Sequence, residues 1–200
     1  MKIPRPSVPV ALLAALMTAC SSSPVVLVAL PDAPLVAAEQ VSGQRFATTI
    51  LLRTVTIPGH LDNFPVVIGR TGNTLLVSSR TEWAERLSDG VARVLRGALS
   101  QRLGASRVTI PGDGRVPDAD LTVEFLALDP QQHTLVLDVN WAYSCRARGA
   151  TNRAGRTSLQ VPLNGPTASA VADAMADALG RLADVLVKET VCSAGNQHAS

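Results

Sequence analysis

The feature that most constrains this chain is an amphipathic period between Trp83 and Gly104. Trp83, Leu87, Val91, Val94, Leu95, Ala98 and Leu99 recur at three- and four-residue steps, which gathers them on one face of a helix. Glu82, Glu85, Arg86, Asp89, Arg93, Arg96 and Arg102 fall mostly on the other. Glu82–Arg86 and Asp89–Arg93 stand i,i+4 with the acid first, the better order for a helical ion pair. Ser79 with Glu82 fits a capping box, and Gly104 fits a left-handed position just past the helix. Gly97 inside it costs about 1 kcal/mol against Ala, and reads either as close packing on a strand or as a chance glycine. A one-sided helix must cover an apolar surface, so the rest of the chain has to supply one.

Strand patterns supply it. Val25–Leu30 is a β-branched run, and Phe46–Ile57 carries apolar residues on both parities, as a covered central strand would. Ile57-Pro58-Gly59 ends that strand, because proline cannot donate to a ladder. Pro65–Ile68 and Thr74–Val77 flank the turn Arg70-Thr71-Gly72-Asn73. Arg107–Ile110 is short. In Leu121–Leu128 and Thr134–Ser144 apolar and polar residues alternate, which predicts neighbouring strands with one face in the core, joined by a connection over Asp129–His133. Thr157–Val161 is a last strand. Thr167–Lys188 is a second amphipathic helix, with Asp177–Arg181 and Asp184–Lys188 spaced for ion pairs. The expected class is α+β: a two-layer sandwich, mostly antiparallel or mixed β-sheet with two amphipathic helices packed on it.

The N-terminus reads as an export leader. Lys2 and Arg5 precede an apolar run over Val8–Met17 that is too short to span a bilayer as a stable anchor. Leu16-Met17-Thr18-Ala19-Cys20 resembles a bacterial lipobox, in which the cysteine receives a diacylglyceryl group; the alternative is an ordinary secretory signal with an incidental cysteine. The expected organisation is a leader over 1–19, a lipidated tether over 20–24, one domain over 25–192 and a disordered tail over 193–200. Without the leader, Lys+Arg falls from 18 to 16, against 16 Asp+Glu. A nearly neutral chain without interleaved aromatics argues against nucleic-acid binding. With Cys20 acylated, Cys145 and Cys192 remain, an even pair in an oxidising compartment; they read as a disulfide stapling the C-terminus to the sheet, or as two free thiols.

Catalytic and cofactor signals are absent from the sequence. There is no nucleophile elbow, P-loop, dinucleotide fingerprint, CxxC pair or metal-spaced Cys/His cluster, so neither a cofactor nor a metal is expected. Asp118 and Asp120 could form a carboxylate pair, but read better as turn and edge residues. Arg146, Arg148, Arg153 and Arg156 suit either phosphate headgroups or a solvated hairpin tip. Trp83 and Trp141 read as core rather than as ligand platforms. The Pro58–Asn73 segment is long for a plain connection, and is expected to project and touch a second subunit or partner through His60, Leu61, Val66, Val67 and Arg70.

The ordered set Pro58-Gly59-His60-Leu61-Asp62, the Val66-Val67-Ile68 hairpin with Arg70 and Asn73, and Trp83-Ala84-Glu85-Arg86-Leu87 followed by Gly90–Leu95 resembles the ABC-type transport auxiliary lipoproteins, the PqiC-like family. His60 stands near where that family usually has an aromatic residue. The resemblance implies a non-catalytic lipoprotein, palmitate-bearing at Cys20, on the periplasmic face of the outer membrane. Its implied partners are an MCE-domain periplasmic protein and ABC transporter components moving lipids or other hydrophobic molecules between the membranes. A homo-oligomer would suit that role. Two other classes stand beside it: a stand-alone lipid- or lipopolysaccharide-binding lipoprotein, and an envelope hydrolase.

Overall fold

The structure, a computed structural model, describes residues 24–35, 49–146 and 152–189. Its strands are β1 (Val26–Val28), β2 (Ile50–Thr56), β3 (Pro65–Thr71), β4 (Thr74–Trp83), β5 (Val108–Thr109), β6 (Ala119–Gln131), β7 (Thr134–Cys145) and β8 (Arg153–Pro162). Its helices are α1 (Leu87–Leu103) and α2 (Ala168–Glu189). The class is the expected α+β, but the strands divide between two sheets, ordered β1-β4-β3 and β5-β2-β6-β7-β8. In the larger sheet β2 pairs parallel to β5 and β6, while β6, β7 and β8 form an antiparallel run.

Alternation decides which way the larger sheet faces. Leu135, Leu137, Val139, Trp141 and Tyr143 of β7 are each 8% exposed or less, with Ala119, Leu121, Val123 and Phe125 of β6 beside them. A register shift between Phe125 and Ala127 then exchanges the parity of β6. Leu128, opposite Leu137, joins the core, and Asp129, opposite Val136, turns to the other face. The two helices pack on each other; α1 also lies against β2 and β5, and α2 against β7 and β8.

Helix α1 buries Leu87, Val91, Val94, Leu95, Ala98 and Leu99 as its periodicity predicts, but begins later. Trp83 is the last residue of β4, which continues through Ser79 and Glu82, so the capping box does not form. Arg86 is the N-cap and makes no side-chain cap bond. Arg93 binds Glu85 (2.6 Å), Asp32 (3.2 Å) and the Leu30 carbonyl (2.7 Å), tying the N-terminal segment to the helix. Gly104 ends the helix at φ 99°, where a side chain would be strained. A Cβ at Gly97 would meet no atom within 4 Å, so close packing is not the reason for that glycine.

In α2 the Asp177–Arg181 pair forms at 2.9 Å. Asp184 goes instead to Arg102 of α1, in a two-pronged bond of 2.6 and 3.0 Å. Arg102 is therefore buried between the helices rather than placed on a solvated face.

Candidate functional site

The loop after β2 is built from its own short motif. Leu61 N–H closes a turn onto the Pro58 carbonyl (2.9 Å) and its side chain plugs the core. Asp62 Oδ1 accepts the Ser88 amide at 3.1 Å, so the missing cap of α1 comes from a residue 26 positions away. A carboxylate there also complements the positive end of the helix. With Leu61 and Asp62 committed inward, His60 is held at the surface, its side chain 43% exposed.

His60 meets Arg70 of β3 and Asp129 of β6. Arg70 Nη2 lies 3.2 Å from His60 Nε2, and Arg70 Nη1 3.6 Å from Asp129 Oδ2. His60 Nε2 stands 3.7 Å from Asp129 Oδ1. Asp129 is 7% exposed and, among the described residues, its Oδ1 accepts no hydrogen bond and the buried Arg70 Nε donates none. A buried carboxylate with an unused lone pair is costly unless charges face it, and the guanidinium does. Beside the triad, Arg70, Thr71, Gly72, Gln131, Gln132, His133 and Thr134 line a cleft of about 510 Å³ between the tips of the β3–β4 and β6–β7 hairpins.

Thus His60 and Arg70 come together, but the other expected contact residues do not join them. Leu61, Val66 and Val67 are buried in this chain's own core, so the twin valines do not form a projecting tip. The hairpin turns at Gly72, φ 58°, and Asn73. Asp129 is the participant that sequence reasoning missed. It sits between the apolar Leu128 and Pro130 on a strand that runs on to Gln131, and an acid in such a run was the available signal.

The remaining charged candidates hold the scaffold together. Asp118 Oδ2 accepts the Thr49 amide at 2.6 Å. Asp120 binds Arg53 and Arg146. Burial raises its pKa, but the hydrogen bonds from Arg146 and Arg53 outweigh burial and hold it below the ordinary value of 3.8. Arg156 holds Asp138 below its ordinary value in the same way, and Arg153 binds Glu189 at 3.1 Å. Arg146, Arg153 and Arg156 are thus spent on acids of this chain; Arg148 lies outside the described residues. Trp83 and Trp141 are core residues. Cys145 is disulfide-bonded, with its partner outside the described residues, as are Cys20 and Cys192. Among the described residues no cluster of three or more His, Cys, Asp or Glu could hold a metal ion, and no helix is long and apolar enough to cross a membrane.

The model of the ABC-type transport auxiliary lipoprotein component matches residues 29–187. The chain belongs to this family. Its transport auxiliary members are lipoproteins with a transport-associated role, and the match begins just after β1, takes in the other seven strands and α1, and stops two residues before the end of α2. Among solved structures, that of an uncharacterized protein is similar with a TM-score of 0.65 at 14% identity, covering 84% of this chain and 100% of that one. A Xanthomonas campestris protein is similar with a TM-score of 0.61 at 14% identity, covering 80% and 92%. At such identities the likeness is one of fold. No curated protein matches the sequence.

Proposed function

We propose that this auxiliary lipoprotein is a non-catalytic subunit anchored by acylated Cys20 to the periplasmic face of the outer membrane. It serves an ABC-type, MCE-linked system that moves lipids or other hydrophobic molecules between the membranes. The observation that carries the reading is a transport auxiliary domain starting within ten residues of a lipobox-like cysteine. The ATPase belongs to another subunit, and this chain's role is to dock the periplasm-spanning component. The exposed His60 and the half-buried Arg70 are the partner-facing groups in this reading, with the Asp129 carboxylate facing the Arg70 guanidinium.

Removal of the leader leaves Cys20 for the acyl chains, so the disulfide of Cys145 is assigned to Cys192. An intact-mass spectrum of the unreduced protein tests both assignments, with acylated Cys20 and no free thiol as the expected result. The function is tested by pulling down the MCE-domain protein with full-length chain. Capture by the native chain, weakened in His60→Ala and Arg70→Ala variants that keep the native unfolding midpoint, is expected. No capture by the acylated native chain would overturn the reading.

A further inference from the structure

Exposed apolar side chains are not spread evenly over the molecule. Of the eight large apolar side chains that are more than half exposed among the described residues, Leu35 and Val116 lie in connections and the other six are Val25, Val26, Leu27, Phe64, Leu76 and Val77. All six lie on β1, β3 or β4, or on the residue that leads into one of these strands. Of the ten residues of β4 only Trp83 is buried, so the three-stranded sheet carries apolar surface that the described residues do not cover.

The occupant of that surface follows from strand direction and tether length. β1 runs parallel to β4, with Val26 opposite Thr81. Followed back toward the N-terminus, β1 therefore points along β4 toward Val77 and Leu76. Four residues separate Cys20 from Val25. Fully extended, that connection reaches at most about 17 Å. The distance from Thr81 to Val77 along the strand is about 13 Å. A cysteine fixed in the leaflet by its acyl chains thus keeps this end of the small sheet within reach of the headgroups. Linked in this way, even a weak apolar contact becomes intramolecular and is strengthened by effective concentration. Arg80 of β4 is exposed and forms no ion pair among the described residues, which leaves it available to lipid phosphate.

We propose that one face of the three-stranded sheet lies against the bilayer, with Leu76 and those side chains of Val25–Leu27 that share its face at the acyl boundary and Arg80 among the phosphates. This rests on the acylation of Cys20 argued above and goes beyond it. The acyl chains hold the protein on the membrane, and the sheet fixes its orientation there, a second signal added to the first.

The test uses full-length acylated protein in phosphatidylglycerol–phosphatidylethanolamine vesicles whose acyl chains carry bromine. Leu76→Trp places a reporter on the sheet. Val116→Trp places one before the start of β6, about 33 Å of strand away from Asp129, which touches β3. Both sites are exposed, and the buried Trp83 and Trp141 give a constant background. The loss of emission in brominated vesicles is expected to be at least about twice as large at Leu76→Trp as at Val116→Trp, as insertion to the acyl boundary requires. Acylated protein with equal loss at both sites, or none at either, overturns this proposal and leaves the anchor standing. No loss at Leu76→Trp together with a doubled mass in solution assigns the sheet to a second copy and also overturns it. A mass spectrum showing unmodified Cys20 overturns the anchor, and this proposal with it.

Discussion

The two sheets use similar residues to opposite ends. In β7 every second side chain from Leu135 to Tyr143 is buried under the helices, whereas Leu76 and Val77 of β4 stand in solvent. Burial of apolar area is what stabilises a fold, at about 25 cal/mol per Å². The larger sheet with α1 and α2 therefore carries most of the stability, and the smaller one is a surface that the larger one supports. Leu137→Ala should expose the contrast most strongly. Leu137 is wholly buried opposite Leu128 and Leu159, so its truncation should cost about 2–5 kcal/mol. Leu76→Ala should cost no more than about 0.5 kcal/mol. Chemical denaturation of the two variants side by side checks this, and equal losses would erase the division.

The edge of the larger sheet can be broken by a single methyl group. Gly155 of β8 lies opposite Trp141, whose indole Nε1 donates to Thr157 Oγ1 at 3.1 Å. A Cβ on Gly155 would stand 2.5 Å from Trp141 Cζ2 and 2.9 Å from Cε2, so the ring would have to move. Gly155→Ala should cost about 1–3 kcal/mol and shift the Trp141 fluorescence. Gly97→Ala has open space and should instead stabilise the protein by up to about 1 kcal/mol.

Between the two sheets stands Asp62. Its carboxylate binds the first turn of α1 from the loop that leads toward β3. Asp62→Ala should cost about 1 kcal/mol, the usual value of a lost N-cap. Amide exchange should quicken at the start of α1 and leave the interior of β7 unchanged; uniform quickening would mean that the loop braces the whole fold.

What could be read in advance follows the same division. Period-two alternation in β6 and β7 and the apolar stripe of α2 are local patterns with one sensible packing, so they were legible. The start of α1 was misplaced because Trp83 satisfies the helical spacing by coincidence while pairing with Val28 in β4. No local rule assigns a cap to Asp62, which lies 26 residues from the amide it binds. The twin valines read as a tip because β-branched pairs near a turn look alike whether covered or bare. Asp129 stands out as an acid in an apolar run, but its place opposite Arg70 depends on the β6 bulge, which leaves no composition signature. Likewise Asp184 prefers the buried Arg102 to its i,i+4 neighbour Lys188, a choice that only the approach of two helices creates.

The smallest expected effect concerns acid, and it sharpens the claim that the ion pairs serve the larger sheet. Asp120 bridges Arg53 of β2 and Arg146 just beyond β7, and its folded pKa lies below 3.8. A carboxyl that binds its proton less readily when folded adds stability above its unfolded pKa. That stability is lost as pH falls through the lower folded value. Asp120→Asn should therefore melt below the native protein at pH 6, and the gap should close as pH falls below 3.8. Leu76→Ser, on the small sheet, should show no such closing gap, because neither side chain titrates. Thermal melts of the three proteins from pH 6 to pH 2 measure it. A gap for Asp120→Asn that persisted unchanged through the acid range would mean that the carboxylate acts by packing and not by charge.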